Sequence, residues 1–198
     1  MNILVDEQPE SVTIATTEYQ LDTDFRTCIK IIMAFEDPEL TPQEKQLVLL
    51  NSLYSVVPEN IEAALERANW FLNAGKEKFN TDETSEAHRV YSFSKDANFI
   101  YAAFRQTHGI DLSTAKLHWW TFLALFMDLG QDTTFCQLTA LRKRIKTGKA
   151  TKEERAAARE MGEVFELPEV DNRSLDEKEA EADFISKVKA LEEKRNGL

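Results

Sequence analysis

The sequence has little glycine and proline and only two cysteines. Six glycines and five prolines among 198 residues leave long stretches free to form uninterrupted helices, which favours an α-helical protein. Cys28 and Cys136 have neither a CxxC spacing nor a histidine in a ligand pattern beside them. This absence excludes the common zinc and redox motifs, and it predicts two small buried side chains in a reducing compartment.

Long apolar runs and targeting signals are also missing. The longest apolar stretch falls well short of the roughly 18 residues that a membrane helix needs. The opening, MNILVDEQPE, contains Asp6 and Glu7 and lacks the basic and then apolar run of a signal peptide. We therefore expect a cytosolic protein without a membrane partner.

No motif of a known catalytic class is present. The chain lacks GxGxxG, GxxxxGK[ST], HExxH and GxSxG, and its histidines do not have the spacing of a metal site: His88, His108 and His118. The carboxylates beside the aromatic segments are interpreted as caps, turn residues or solvated helix positions: Asp96, Asp111 and Asp128. We expect no catalytic residue, no metal and no cofactor.

The net charge is strongly negative, with one basic exception. A formal charge of −11, with 42% hydrophobic and 30% charged residues, is typical of a globular protein that does not coat nucleic acid or anionic membranes. The exception is a run of Arg142, Lys143, Arg144, Lys146 and Lys149. We interpret it as the cationic end of a helix, which complements the helix dipole. An acidic protein partner and nucleic acid are the alternatives, and nucleic acid is disfavoured because no aromatic residue interleaves the run.

Hydrophobic periodicity predicts a mainly α fold: a helical bundle of about seven to eight helices with a short N-terminal β-hairpin. Residues 11–21, SVTIATTEYQL, alternate apolar and polar positions and predict the hairpin, with Val12, Ile14, Tyr19 and Leu21 facing inward. Because a two-stranded hairpin is not stable alone, it is expected to pack on the helices that follow.

Three helices are predicted to complete an N-terminal group over residues 1–75. The first is capped within Asp22–Asp24, the second by the capping box that begins at Thr41, and the third begins at Pro58 and ends at Gly75. Their predicted apolar stripes are Phe25, Ile29, Ile32 and Phe35; Leu47, Leu50, Leu53 and Tyr54; and Ile61, Leu65, Ala68 and Leu72.

The rest of the chain is predicted to contain a polar hinge and a second helical group. Residues 76–92 are polar and lack periodicity, and residues 93–168 carry further helical patterns. These include a helix that Ser94 caps, one over 114–129, one that Asp132 caps and one that opens with the capping box at Thr151. Residues 169–198 predict a charged terminal helix, detachable from the rest, with an apolar stripe of Phe184, Ile185, Val188 and Leu191.

The segment LHWWTF, residues 117–122, places two tryptophans side by side. Adjacent helical side chains point about 100° apart, so a single neighbour does not easily contact both rings. The surrounding helix is apolar almost all round, which predicts a buried central helix or one that another chain partly covers. Large rings of this kind are favoured at protein interfaces. The candidate partner-binding residues are Trp70, Phe71, Trp119, Trp120, Phe122, Phe126, Phe184 and Val188.

Several segments together resemble one family. Residues 91–112, YSFSKDANFIYAAFRQTHGIDL, followed by LHWWTFLALFMDL, resemble the central signature of the gene-product-fifteen family of siphophages and prophages of Gram-positive bacteria. The opening NILVDEQPESVTIATTEYQLDTDFR and the late REMGEVFELPE also resemble that family. The resemblance covers residues from about 3 to 168 and does not include the terminal helix at 174–198.

The resemblance implies a tail assembly chaperone. In such phages the gene lies between those of the major tail protein and the tape-measure protein. The implied partners are the tape-measure protein, which the chaperone keeps soluble, and the tail-tube protein, whose subunits it helps to recruit; self-association remains open. The implied location is the host cell cytoplasm and not the mature virion. A structural subunit of the finished tail and a nucleic-acid-binding regulator that uses the 142–149 run are the alternatives.

Overall fold

The computed structural model describes residues 3–76 and 89–168, which form a mainly α fold with an N-terminal hairpin, as predicted. The strands are β1 (Ser11–Ile14) and β2 (Thr17–Gln20). The α-helices of the described residues are α1 (Phe25–Glu36), α2 (Pro42–Leu53), α3 (Ile61–Leu72), α4 (Ala97–His108), α5 (Trp119–Met127), α6 (Thr134–Lys146) and α7 (Lys152–Met161). A 3₁₀ turn, Gly162–Val164, follows α7.

The hairpin has the predicted inward face. Val12 pairs with Tyr19 across the two strands, and Val12, Ile14 and Leu21 are buried while Tyr19 is half-buried. The hairpin packs against α3 and the residues after α2, because β1 contacts α3 and the Ser55 amide donates to the Gln20 carbonyl at 3.1 Å. The predicted packing of the hairpin on the helices is therefore confirmed.

Local capping signals place most helix starts. The Asp24 carboxylate accepts the Arg26 amide at 2.8 Å, and the predicted capping boxes at Thr41 and Thr151 are both formed. Other starts differ from the prediction: α3 begins after Asn60, α4 after Asp96 and α6 after Thr133. Each of these corrections is a shift of a few residues at a boundary.

The predicted stripes of the first three helices are partly wrong. The buried apolar residues are Phe25, Cys28 and Ile31 on α1; Leu49, Leu50 and Leu53 on α2; and Ala64, Ala68 and Phe71 on α3. Three residues of the predicted stripes are instead exposed, namely Phe35, Leu47 and Ile61. Each helix carries more apolar residues than one face holds, so the face that packs is decided by neighbouring helices and not by the period.

The helix predicted over 114–129 is shorter than expected at its start. The Phe25 amide donates to the Leu117 carbonyl at 3.1 Å, and the Trp119 amide donates to the Thr23 carbonyl at 2.8 Å. These two bonds hold residues 117 and 118 extended beside the start of α1, so α5 begins at Trp119. These two backbone hydrogen bonds hold the starts of α1 and α5 next to each other.

One core joins residues from the two predicted helical groups. Phe25 of α1 stacks on Phe122 of α5 with ring centroids 4.9 Å apart, and Phe122 also stacks on Phe104 of α4 at 5.0 Å. The predicted boundary between residues 1–75 and 93–168 therefore divides the sequence but does not divide the core. Most of the predicted hinge, residues 77–88 with His88, and the predicted terminal helix at 169–198 lie outside the described residues.

Candidate interaction site

The adjacent tryptophans both bind the C-terminal end of α3. The Trp119 indole Nε1–H donates to the Leu72 carbonyl at 2.9 Å, and the Trp120 Nε1–H donates to the Phe71 carbonyl at 2.8 Å. Carbonyl groups in the last turn of a helix lack partners within the regular helix. The Trp119 indole supplies a donor to the Leu72 carbonyl, and the Trp120 indole adds a second donor to the Phe71 carbonyl, which also accepts the Ala74 amide at 3.1 Å. The two rings point apart, yet they contact two successive carbonyls of the same helix end.

The backbone after α3 is shaped to admit this pair. Gly75 has a φ of +79°, and a Cβ built there would lie 3.0 Å from the Trp120 ring. The Trp70 ring packs edge-on against Trp120 with centroids 5.5 Å apart. Only glycine provides both the left-handed backbone and the space for the indole, so the end of α3 and the tryptophan pair fit each other.

The structure places the predicted partner-binding aromatics mostly in the core. Trp119 is 1% exposed, and Phe71, Trp120, Phe122 and Phe126 are also buried. Trp70 is half-buried, and Phe184 and Val188 lie outside the described residues. Binding of a partner through the five buried rings stays a prediction, and it would require the core to open.

His118 is the N-cap of α5 through its imidazole ring. Its Nδ1 accepts the Trp120 amide at 3.0 Å, while Nε2 lies 3.1 Å from the Pro9 carbonyl, to which it can only donate. This pattern requires the neutral ring with its proton on Nε2. Burial lowers the pKa of His118, and this effect is opposed by the hydrogen bond to Pro9 and the charge of Glu10. The ring links the N-terminal segment to the start of the tryptophan helix.

This arrangement predicts a pH dependence of stability. Because the pKa of His118 is lower in the folded than in the unfolded chain, its contribution is fully present above the unfolded value near 6.5 and is lost as the pH falls through the folded value. His118→Asn keeps an N-cap side chain that does not titrate. We expect the free energy of unfolding of the wild type to fall relative to that of His118→Asn between pH 7 and pH 5, by up to about 1 kcal/mol, the typical contribution of a cap.

Urea unfolding at both pH values measures this difference, and His118→Ala, which lacks any cap, should be less stable than both at pH 7. A constant difference between wild type and His118→Asn across the two pH values would contradict the role of the neutral ring.

A buried ion pair joins α4 to α6. Arg142 donates to both carboxylate oxygens of Asp96, at 2.7 and 3.1 Å, and to the carbonyls of Val90, Val164 and Phe165 at 2.7 to 3.1 Å. All five N–H donors of the guanidinium are therefore used. Arg142 is 1% exposed and Asp96 is fully buried. Asp96 takes the N-cap position of α4, one of its predicted roles, but it is buried and not solvated, and its side chain binds Arg142. Contact of Arg142 with nucleic acid stays a prediction, and the burial of its guanidinium disfavours it.

The ion pair continues into a second polar cluster. Asp96 accepts the Ser92 amide at 3.0 Å, and the Ser92 hydroxyl donates to Glu36 at the end of α1 at 2.7 Å. Burial raises the pKa of Glu36, while the Ser92 hydrogen bond and the charge of Arg89 oppose that shift. Arg89 also donates through Nη2 to the Pro168 carbonyl. The network thus connects α1, the start of α4, α6 and the segment after α7.

The other basic residues of the predicted run lie on the surface. Lys143, Arg144, Lys146 and Lys149 are exposed, and Arg144 pairs with Glu154 of α7 at 2.8 Å. Between residues 142 and 159 there are eight basic and two acidic residues, so α6 and α7 form a positive region on a chain of net charge −11. Binding of nucleic acid or an acidic protein by Lys143, Arg144 and Lys146 stays a prediction.

Large apolar side chains are exposed on the first three helices and their connections. Leu47 is 57% exposed and Val56 is 70% exposed, and the set consists of Met33, Phe35, Leu47, Val56, Val57 and Ile61. We call these six residues the α1–α3 apolar surface. Periodicity predicted several of them as core, and the exposure of Val56 and Val57 follows from their place in the loop before α3. Contiguous exposed apolar patches mark surfaces that bind another chain, whereas single exposed apolar residues are common on any protein.

Several polar side chains of the described residues hold turns and helix ends. No group of three histidines, cysteines or acids in residues 3–76 and 89–168 has the arrangement of a metal site, and no helix among them is long and apolar enough to cross a membrane. Asp111 binds the Ser113 amide at 2.9 Å as the predicted turn residue, and Asp128 ends α5. The His108 ring contacts the Leu125 carbonyl at 2.9 Å, and Cys28 is fully buried.

Most of the chain matches a known protein family. A family model described as "Bacteriophage Gp15 protein" matches residues 4–167, which include the hairpin, the tryptophan pair and the buried ion pair. The searches of curated proteins and of solved structures found no match.

Proposed function

This chain belongs to the bacteriophage Gp15 protein family, and from that premise we propose that it is a tail assembly chaperone. It binds the tape-measure protein, keeps it soluble and helps to recruit tail-tube subunits in the host cell cytoplasm. The resemblance of residues 91–129 to a family whose genes adjoin the tape-measure gene supports this role. The chaperone is then absent from the mature virion, whereas a structural tail subunit would be found by mass spectrometry of purified virions in a fixed ratio.

The α1–α3 apolar surface is the observation that supports binding of a helical partner. A long helical tape-measure chain presents apolar stripes that aggregate when they are not covered. Leu47, Val56 and Ile61 can cover such a stripe without any change in the core, because their side chains are already exposed. The net charge of −11 then keeps the complex dispersed by repulsion between complexes.

We expect co-expression with the tape-measure protein to keep that protein soluble, and the double variant Leu47→Ser/Val56→Ser to abolish this effect. The double variant replaces the two most exposed apolar side chains of the α1–α3 apolar surface and so removes apolar contact area from it. The measurement is the soluble fraction of the tape-measure protein and its co-purification with each variant.

Met127→Ser is the matched control, because Met127 is 82% exposed but lies at the end of α5, away from the α1–α3 apolar surface in sequence. Both variants should unfold within about 0.5 kcal/mol of the wild type, as is usual for surface substitutions. If the double variant solubilises the tape-measure protein as well as Met127→Ser does, this surface is not the contact.

The positive region on α6 and α7 supports a nucleic-acid-binding regulator as the second candidate. A DNA mobility shift that weakens as salt rises would favour it, because phosphate contacts are salt-dependent. Absence of a shift at low salt would remove it.

A further inference from the structure

A groove lies between α6 and α7 on the side of the basic residues. It has a volume of about 800 Å³, and Gln131 and Gln137 are part of its lining. Six of its lining residues have small or apolar side chains, and we call these six its floor: Val90, Cys136, Thr139, Ala140, Leu141 and Ala157. Lys143, Arg144 and Glu154 form its charged edge. A floor of small side chains admits a closely packed apolar segment, and the basic edge favours a segment that also carries acidic residues.

The described chain ends beside this groove. Arg142 of α6 binds the carbonyls of Val164 and Phe165, and Arg89 binds the carbonyl of Pro168. Val90, the neighbour of Arg89 in the chain, is part of the groove floor. Residues 169–198 therefore continue from a point next to the groove.

The sequence that continues from this point has the complementary chemistry. Residues 169–183 contain seven acidic and two basic residues, and Phe184, Ile185, Val188 and Leu191 follow at helical spacing. The residues between Pro168 and Phe184 can span up to about 50 Å when extended, whereas α6 with its 13 residues is about 20 Å long. Every part of the groove is within reach of the apolar residues of this segment.

We propose that residues 169–198 bind in the α6–α7 groove of the same molecule, with their apolar residues on the groove floor and their acidic residues against the basic edge. The bound segment covers Cys136 and neutralises part of the positive region. This contact does not involve the α1–α3 apolar surface, which we propose binds the tape-measure protein.

Alkylation of Cys136 in the full-length chain tests this binding directly. The other cysteine, Cys28, is fully buried, and its pKa is raised by that burial and by the charges of Asp22 and Asp24, so it remains unreactive while the protein is folded. We expect Phe184→Ser/Val188→Ser to increase the rate of Cys136 alkylation by iodoacetamide about tenfold, the change for a segment bound with about 1.4 kcal/mol. Lys187→Ser, a polar change in the same segment, should leave the rate unchanged.

A second pair of variants tests how charge contributes to the binding of residues 169–198. Lys143→Glu should increase the alkylation rate by weakening the attraction for the acidic residues, whereas Lys30→Glu on the exposed side of α1 should not. Equal rates in the wild type and Phe184→Ser/Val188→Ser would overturn the proposal. Protection of Cys136 that grows with protein concentration would also overturn it, because the occupant would then be a second copy of the chain.

Discussion

Replacing Arg142 by methionine is expected to reduce the free energy of unfolding by about 3–5 kcal/mol, the range for removing one partner of a buried ion pair. The substitution leaves the Asp96 carboxylate buried without its counter-charge, and it leaves the carbonyls of Val90, Val164 and Phe165 without a donor. Both effects penalise the folded state because buried charges and acceptors lose their compensation. Urea unfolding followed by circular dichroism measures the loss.

Two further substitutions distinguish the contribution of the ion pair to stability from that of the basic run. Lys143→Met changes the adjacent exposed residue and should alter stability by no more than about 0.5 kcal/mol. Adding Asp96→Leu to Arg142→Met removes the unpaired carboxylate and should restore part of the loss, since an apolar pair can replace a buried ionic one. A loss below about 1 kcal/mol in Arg142→Met would show that the pair is not buried as the structure places it.

Replacing Trp119 by alanine is expected to cost about 3–5 kcal/mol, as for other large aromatic residues removed from a core. The ring stacks on Phe122 at 5.6 Å and its indole binds the Leu72 carbonyl, so the change opens a cavity and frees the end of α3. Trp119→Phe retains most of the ring and removes only the donor, and should cost about 1–3 kcal/mol through the unpaired carbonyl. Equilibrium unfolding in urea measures both losses.

Trp70→Phe is the control for the donor effect, because Trp70 is half-buried and contacts Trp120 through its ring. Its cost should be smaller than that of Trp119→Phe. If Trp70→Phe and Trp119→Phe destabilise equally, the bond to the end of α3 does not contribute as we propose.

Local patterns predicted the elements well because their causes lie within a few residues. The inward face of the hairpin follows from alternation, and the capping boxes at Thr41 and Thr151 follow from a spacing of three residues. The sequence also located the tryptophan pair as an unusual feature. It did not show that the acceptors of the two indoles belong to α3, 47 and 49 residues earlier, because nothing local encodes that contact.

The buried ion pair was missed although a signal was present. Arg142 follows Phe135 and Leu138 on the buried face of α6, and Asp96 lies between Phe93 and Ile100, which are both buried. A charged residue at an apolar-face position indicates a buried partner of opposite charge. A run of adjacent basic residues does not show on which face of the helix each residue lies. The run therefore predicts an exposed Arg142, whereas the helical spacing from Phe135 and Leu138 places it on the buried face.

The exposed side of the first three helices was missed for the opposite reason. Leu47 and Ile61 fit an apolar stripe by spacing, but the packing of α1, α2 and α3 uses other residues of the same helices. Surplus apolar residues on a helix cannot be assigned to core or surface by period alone. The α1–α3 apolar surface is therefore a result of the tertiary structure.

Hydrogen–deuterium exchange of the chain alone and in complex with the tape-measure protein tests the central claim that the aromatic core is structural and the partner binds an exposed surface. We predict that peptides covering residues 42–61 of this chain exchange more slowly in the complex than in the chain alone. Peptides covering residues 119–127 should exchange at the same rate in both. Altered exchange over 119–127, with none over 42–61, would show that the partner contacts the tryptophan helix and would contradict the account.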